Sequence, residues 1–461
     1  MLYLWNLSVS GWANSFYSAA AQAGASDWTA MLFGASDSGN AITVDKTPGA
    51  LWVMDLSVRL FGLSSWSILV PEALAGVASV GVLYATIKRW FGAGPGLIAG
   101  AILALTPVAT LMFRFNNPDA VLVLLLVAGA YALTRALERA STGWLLLAWS
   151  FVGFGFLTKM LQALLVAPAF ALVYLICAPT PFRRRFLQSA AAFVALIVSA
   201  GWWIAIVALW PASSRPYIGG SQKNSILELT LGYNGLGRLT GNETGSVGGG
   251  GPAGGGTSMW GPTGWNRMFN SEFGTQAGWL IPAAVLLLAI GLIARWKAPR
   301  VDRARTALLL WGGWLMVTLA AFSFGKGIIH AYYTVALAPA IGAVVAIGIV
   351  PWWQRRSSAL GRVILAGTLA LTTTFSYHLM HRTPNWAPLL QSVVLYGGIA
   401  LAAIIAVAPS LRGKIGAAVA AGALVVTLAG PAAYSLQTAS VPHTGSIPSA
   451  GPGTSGFGGR G

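Results

Sequence analysis

Acid is what this chain has least of. Only 11 of its 461 residues are Asp or Glu, against 28 Lys and Arg, and all charged residues together make up 8%. So little charge, combined with 56% apolar residues and a mean hydropathy of +0.69, excludes an ordinary soluble globule and describes a polytopic membrane protein. The single cysteine, Cys177, lies in an apolar run. It excludes a disulfide framework and a cysteine-based metal site, and reads most simply as a buried, inert thiol. A phosphate-cradling P-loop, an HExxH pair and a serine triad are all missing, and the Gly-rich runs lack the strand-to-helix setting that a nucleotide needs. The formal charge of +17 does not call for nucleic acid, because the cations sit in short clusters between apolar runs.

Those apolar runs cover 68–87, 95–113, 119–134, 143–158, 161–178, 187–210, 277–294, 306–324, 331–350, 363–379, 388–408 and 415–434. They predict an all-α, polytopic transmembrane helical bundle of about 12–13 spans, at ~20 residues per crossing. Alternate loops are basic: 88–89, 135–139, 183–185, 295–305, 355–362 and 412–414. The loops between them carry only scattered cations. The positive-inside rule therefore turns 10–67, 113–118, the neighbourhood of Lys159, 211–276, 325–330 and 379–387 to the outside of a cell membrane. Met1 to Leu7 is apolar but too short to cross, and reads as the end of a first span that begins ahead of residue 1. A signal peptide is the weaker alternative, since no basic stretch precedes it.

One membrane domain, 1–435, is followed by a tail, 436–461, of disordered character. The first outer loop, 10–67, is rich in Gly, Ser and aromatics, and its amphipathic stretch 51–61 suits an interfacial helix. The long outer loop, 211–276, contains a Gly-rich insert, 245–256, that reads as flexible. No internal repeat is evident.

Carboxylates near a membrane are costly, so those that persist are candidates for function. On the outer side lie Asp27, Asp37 and Asp45-Lys46 in the first loop, then Asn116, Asn117 and Asp119. Lys159, Lys223, Glu228, Lys326, His330, Tyr332 and Tyr333 complete the set. Cations aimed at one surface suit a phosphate-bearing ligand. Carboxylates suit a divalent metal or a general base. Bland readings stand beside these. Asp119 after Pro118 suits a helix start, Lys159 can snorkel, and His330 with its tyrosines can form an interfacial belt. Asp45-Lys46 followed by Thr47-Pro48 has no obvious topogenic use and is the sharpest signal.

Several stretches together resemble a known family: Gly11-Trp12-Ala13-Asn14-Ser15-Phe16-Tyr17, Thr43-Val44-Asp45-Lys46-Thr47-Pro48, Asn116-Asn117-Pro118-Asp119, Leu157-Thr158-Lys159, Ser221-Gln222-Lys223-Asn224-Ser225, Gly232-Tyr233-Asn234-Gly235 and Lys326-Gly327-Ile328-Ile329-His330-Ala331-Tyr332-Tyr333. In this order they resemble the membrane-embedded GT-C glycosyltransferases related to aminoarabinose and protein O-mannosyl transferases (glycosyltransferase family 39-like), in particular their bacterial mannosyltransferase branch. The resemblance implies a GT-C bundle that transfers a sugar from a polyprenyl-phosphate-linked donor on the extracytoplasmic face, to a glycan, lipid or protein acceptor, with membrane lipid as a further partner and no nucleic acid. It implies Asp45, Asp37 and Asp119 as catalytic carboxylates, and Lys46, Lys159 and Lys326 as donor-phosphate ligands. Asn14, Tyr17, Asn116, Asn117, Lys223, His330, Tyr332 and Tyr333 become substrate contacts, and Asp119 a holder of a divalent metal cation.

The chain departs from the family at one point. Where relatives carry an acid just after the first span, this sequence reads Trp12-Ala13-Asn14-Ser15. Asn14 cannot deprotonate an acceptor, so either Asp45 or Asp37 takes that part, or the acceptor is already ionised. A transporter or lipid flippase, and a catalytically inactive scaffold, are the rival classes. A transport site usually lies near the bilayer midplane between inverted repeats.

Overall fold

A computed structural model of the chain describes residues 1–241, 261–408 and 411–452. The Gly-rich insert and the last nine positions of the tail lie outside the described residues. Among the described residues the fold is all-α, with only two isolated β-bridges. Among the described residues, ten stretches are long and apolar enough to cross a membrane. The sequence pattern gives twelve, and two local effects account for the difference. The run 95–113 is split: α5 (Ala93–Ala104) ends before Thr106-Pro107, and α6 (Pro107–Met112) starts afresh. The residue before a proline is pushed out of the helical region, and Thr106 sits at φ −74°, ψ 123°. The runs 143–158 and 161–178 fall within one apolar stretch, Thr142–Cys177, broken at Met160 into two helices. Met1 to Asn6 are turns followed by a 3-10 turn at Leu7–Ser10, so no helix begins at residue 1.

The first outer loop is built of three short helices, α1 (Ser15–Ser26), α2 (Trp28–Phe33) and α3 (Gly49–Phe61). α3 buries Leu51, Met54 and Val58 and leaves Val53, Leu56, Leu60 and Phe61 exposed. That two-sided apolar character is what a helix lying in a membrane interface needs. Ser64 and Ser67 then form a reciprocal capping box that starts α4 (Ser65–Phe91).

α7 (Asp119–Arg139), α8 (Thr142–Lys159), α9 (Ala167–Cys177) and α10 (Phe182–Leu209) follow. The helix Ala338–Gln354 is central and nearly all enclosed. Small residues allow the close approach that substitutes for a hydrophobic drive inside lipid. A Cβ on Gly342 would lie 2.7 Å from the Ala99 carbonyl oxygen, and one on Gly153 would overlap Ser199 of α10.

Two features fix the first loop and the terminal segments. Thr43 N–H donates to the Tyr217 carbonyl (2.8 Å), Tyr217 N–H to the Ala41 carbonyl (3.0 Å), and Gly219 N–H to Thr43 Oγ1 (2.9 Å), so the first loop is zipped to the long one. Arg114, buried, donates to the carbonyls of Leu2, Tyr3, Trp5, Asn6 and Ala439, gathering the N-terminal segment and the last helix. That helix, Gly413–Ser440, includes 436–440. Beyond it, Gly445 N–H donates to the Ala13 carbonyl, and Gln276 exchanges two hydrogen bonds with Ala450. The described part of the tail is thus laid over the first loop rather than left loose, because its backbone groups find partners that composition does not reveal.

Candidate active site

The Asp45–Pro48 turn is held by α8. Thr47 Oγ1 donates to the Phe156 carbonyl (3.1 Å), and a Cβ on Gly49 would lie 2.5 Å from the Leu157 oxygen. Only glycine allows that approach. Two residues further on, α8 ends at Lys159, and the chain turns through Met160 at φ +46° into a 3-10 segment, Met160–Val166. A left-handed methionine is uncommon, and the turn it makes directs Lys159 inward. The motif turn and the lysine are therefore placed by the same few residues of α8.

Lys159 Nζ donates to both carboxylate oxygens of Asp119, at 2.6 and 2.7 Å. Asp119 is the first residue of α7, where the helix dipole favours an acid. Their side chains are 5% and 0% exposed, so this is a buried salt bridge in which each partner compensates the other. The ammonium also stands 4.0 Å from the Tyr333 ring centroid and 5.2 Å from that of Tyr332.

A second set faces it. Lys46 Nζ lies 3.1 Å from Asp45 Oδ2 and 2.7 Å from Asn234 Oδ1. Asn234 Nδ2 donates to the Asp45 carbonyl (2.6 Å), and Arg238 Nη2 donates to Asn234 Oδ1 (3.2 Å). Burial works to raise the Asp45 carboxyl, but the ammonium of Lys46, and then Arg238, hold it below the usual carboxylate range. Burial, joined by Arg238, lowers Lys46, while Asp45 resists that fall. His330 stacks on Tyr332 at 5.3 Å and 18°. Burial, with Arg238, Lys159 and Lys46 nearby, pushes its imidazole down to about 3, so it is neutral at physiological pH.

Between these sets lies a cavity of ≈ 250 Å³. Lys46, Lys159 and Arg238 line it together with Asn234 and Tyr333, while Leu161, Leu164, Leu165, Leu239, Phe322 and Ile329 supply an apolar wall. One cavity thus offers cations and hydrocarbon together.

Not every expected residue reaches it. Asn14, Asn116 and Asn117 form a buried network. Asn14 N–H donates to Asn116 Oδ1 (2.8 Å), Asn14 Nδ2 to Asn117 Oδ1 (3.0 Å), and Asn116 Nδ2 to the Asn14 carbonyl (2.9 Å). Asn14 also caps α1 through Phe16 N–H. These amides tie the first loop to the start of α7. Tyr17 is buried beside them, lining a small hollow with Lys46 and Asn116. Asp37 keeps to its own turn, accepting from Ala41 N–H at 3.3 Å. Lys223 is exposed, and its backbone N–H is bound by Glu228. Lys326 is also exposed, with its backbone N–H on the Leu239 carbonyl. Neither lysine lines the cavity.

Asp119 does not fit a metal: Lys159 holds both its oxygens, and no cluster of three or more His, Cys, Asp or Glu gathers among the described residues.

Arg238 and Asn234 are functional candidates that sequence reasoning missed. Arg238 is the only cation between Lys223 and Arg267, a signal that was there to read.

Residues 45–204 match the family described as "Dolichyl-phosphate-mannose-protein mannosyltransferase", a match that starts at Asp45. Two Bacillus subtilis (strain 168) proteins, named "Putative mannosyltransferase YycA" and "Putative mannosyltransferase YkcB", are each 31% identical to the chain over 80% and 82% of its length. The chain spans 64% of the length of each. Among solved structures, ArnT from Cupriavidus metallidurans bound to undecaprenyl phosphate superposes with a TM-score of 0.58 at 18% identity, covering 95% of this chain and 75% of that one. The chain therefore shares the fold of that structure, and its similarity to proteins named as mannosyltransferases agrees with the resemblance read from the motifs.

Proposed function

We propose that this chain, with the fold and motif order of the GT-C membrane glycosyltransferases, transfers a sugar from a polyprenyl-phosphate-linked donor to an acceptor on the outer face of the cell membrane. The observation that carries the reading is the cavity. Lys46 and Arg238 meet an apolar wall there, which matches an amphiphile with an anionic head and a hydrocarbon tail. The alternation of basic loops supports the outer face.

The reaction is a displacement at the anomeric carbon. The bond from that carbon to the donor's phosphate oxygen breaks, and a bond to the acceptor oxygen forms, with inversion. Negative charge develops on the leaving phosphate. Lys46 and Arg238, already converged in a partly dry cavity, stabilise it without reorganising water. The Lys159–Asp119 pair serves as a fixed strut that sets Tyr333 against the site, since its charges are spent on each other. Asp45, held ionised, accepts the hydrogen bond of the acceptor hydroxyl, takes its proton as the new bond forms, and passes it to solvent. A carboxylate held this low is a weak base, which suits an acceptor that is acidic or already ionised.

Membranes containing the chain are to be tested with labelled polyprenyl-phospho-sugars. Transfer of label to an acceptor supports the reading. Labelled donor that crosses the bilayer unhydrolysed and untransferred points instead to the flippase class, and neither outcome with intact protein points to a scaffold.

A further inference from the structure

Lys46 and Arg238 share one neutral oxygen. Lys46 Nζ and Arg238 Nη2 both donate to Asn234 Oδ1, at 2.7 and 3.2 Å. The amide cannot be turned round, because its Nδ2 donates to the Asp45 carbonyl at 2.6 Å and so keeps Oδ1 on the cationic side. Both cations also lie against the Tyr233 ring, 5.5 and 4.7 Å from its centroid. Two like charges brought to one amide oxygen repel each other, a repulsion that Asp45 Oδ2, 3.1 Å from Lys46 Nζ, offsets on one side, and the shared amide oxygen is a weaker acceptor for them than a phosphate oxygen. All three side chains line the cavity.

We propose that Asn234 is a positioning residue whose side-chain oxygen stands where a donor phosphate oxygen comes to lie, holding Lys46 and Arg238 at the spacing the phosphate takes over. This rests on the polyprenyl-phosphate reading above. The backbone around Asn234 suits such an exchange. It belongs to a π-helical turn, Leu229–Leu236, and its neighbour Gly235 breaks helical geometry at φ −114°, ψ −122°. Helical turns of this type gather at functional sites. The amide can withdraw at that joint while Lys46 stays anchored through Thr47 on α8.

The test compares two isosteres in the purified full chain, Asn234→Asp and Asn234→Leu. Binding of undecaprenyl monophosphate and of undecaprenol is measured in the same detergent, alongside thermal unfolding. The Asp variant keeps Lys46 and Arg238 as donors but loses the Nδ2 hydrogen bond to the Asp45 carbonyl; in its folded fraction it binds undecaprenyl monophosphate about ten-fold or more weakly, with undecaprenol binding unchanged, because its carboxylate competes with the phosphate. The Leu variant, which removes the competitor, binds as tightly as the parent or tighter. A merely structural Asn234 weakens binding of phosphate and alcohol alike in both variants, since both lose the hydrogen bond to the Asp45 carbonyl. Parent-like binding by the Asp variant overturns the inference, as does ten-fold weaker binding by a Leu variant whose midpoint is unchanged. Should the Leu variant fail to fold, the Asp variant decides alone. Equal binding of phosphate and alcohol by the parent chain overturns the functional reading itself, and this inference with it.

Discussion

Lys159 Nζ lies within 2.7 Å of both carboxylate oxygens of Asp119, a residue forty positions earlier, with the two side chains almost wholly enclosed. The contact joins the start of α7 to the end of α8. It also explains why this carboxylate, behind the cavity-lining Lys159, is not free for chemistry. Desolvating two charges costs free energy that their mutual attraction roughly offsets, whereas removing one leaves the other uncompensated.

Asp119→Asn is therefore expected to lower stability by about 3–5 kcal/mol, read as a large drop in thermal midpoint in detergent. Replacing both residues, as Asp119→Leu with Lys159→Met, is expected to recover most of that loss. An unchanged midpoint in the single variant would show that the ammonium finds compensation elsewhere.

Gly49→Ala tests the clasp between the motif turn and α8. A Cβ there lies 2.5 Å from the Leu157 oxygen, and the obstacle is backbone. Overpacking of this kind costs roughly 1–3 kcal/mol. It also moves Lys46, so transfer is expected to fall by more than the loss of folded protein explains. Activity that merely tracks folded protein would mean the clasp does not position the lysine.

Asp55 supplies the pH dependence. It is buried between α1 and α3, where Gly24 leaves room for its carboxylate, and burial pushes it up to about 8 against the pull of Arg59. The folded chain keeps this proton at neutral pH, while the unfolded chain loses it near ~3.9. The sign follows. Its contribution is complete below pH ~4 and is lost progressively as pH rises towards about 8. Asp55→Asn is expected to raise stability at pH 7 by roughly 2–4 kcal/mol and to flatten the fall between pH 5 and 8. Thermal midpoints across that range check it; identical slopes in parent and variant would contradict it.

Much of this was legible in the sequence, because each apolar run reports one local fact, its own burial. The all-α bundle, the short helices of the first loop and the shared side of Asp45, Lys46, Asp119, Lys159 and Tyr333 follow from such runs and from loop charge. Three things do not. The break at Thr106-Pro107 divides a run that is uniformly apolar, and only the proline marks it. The Asp119–Lys159 pair depends on how two helices pack, which no spacing of forty residues encodes. Lys326 and Lys223 share the correct side with the site, yet their side chains are exposed, since sidedness fixes the end of the bundle and not the direction of a side chain. Arg238 stands out in the sequence as the lone cation between Lys223 and Arg267, but the path that brings it from a long loop to the cavity is not fixed by the sequence.

The most direct measurement is transfer from a labelled polyprenyl-phospho-sugar by Lys46→Ala and Arg238→Ala variants, reconstituted at equal folded amounts with the parent. The account predicts a loss of roughly 10²–10³-fold in turnover for each, with expression and thermal midpoint close to those of the parent. Transfer at the parental rate by either variant would contradict it.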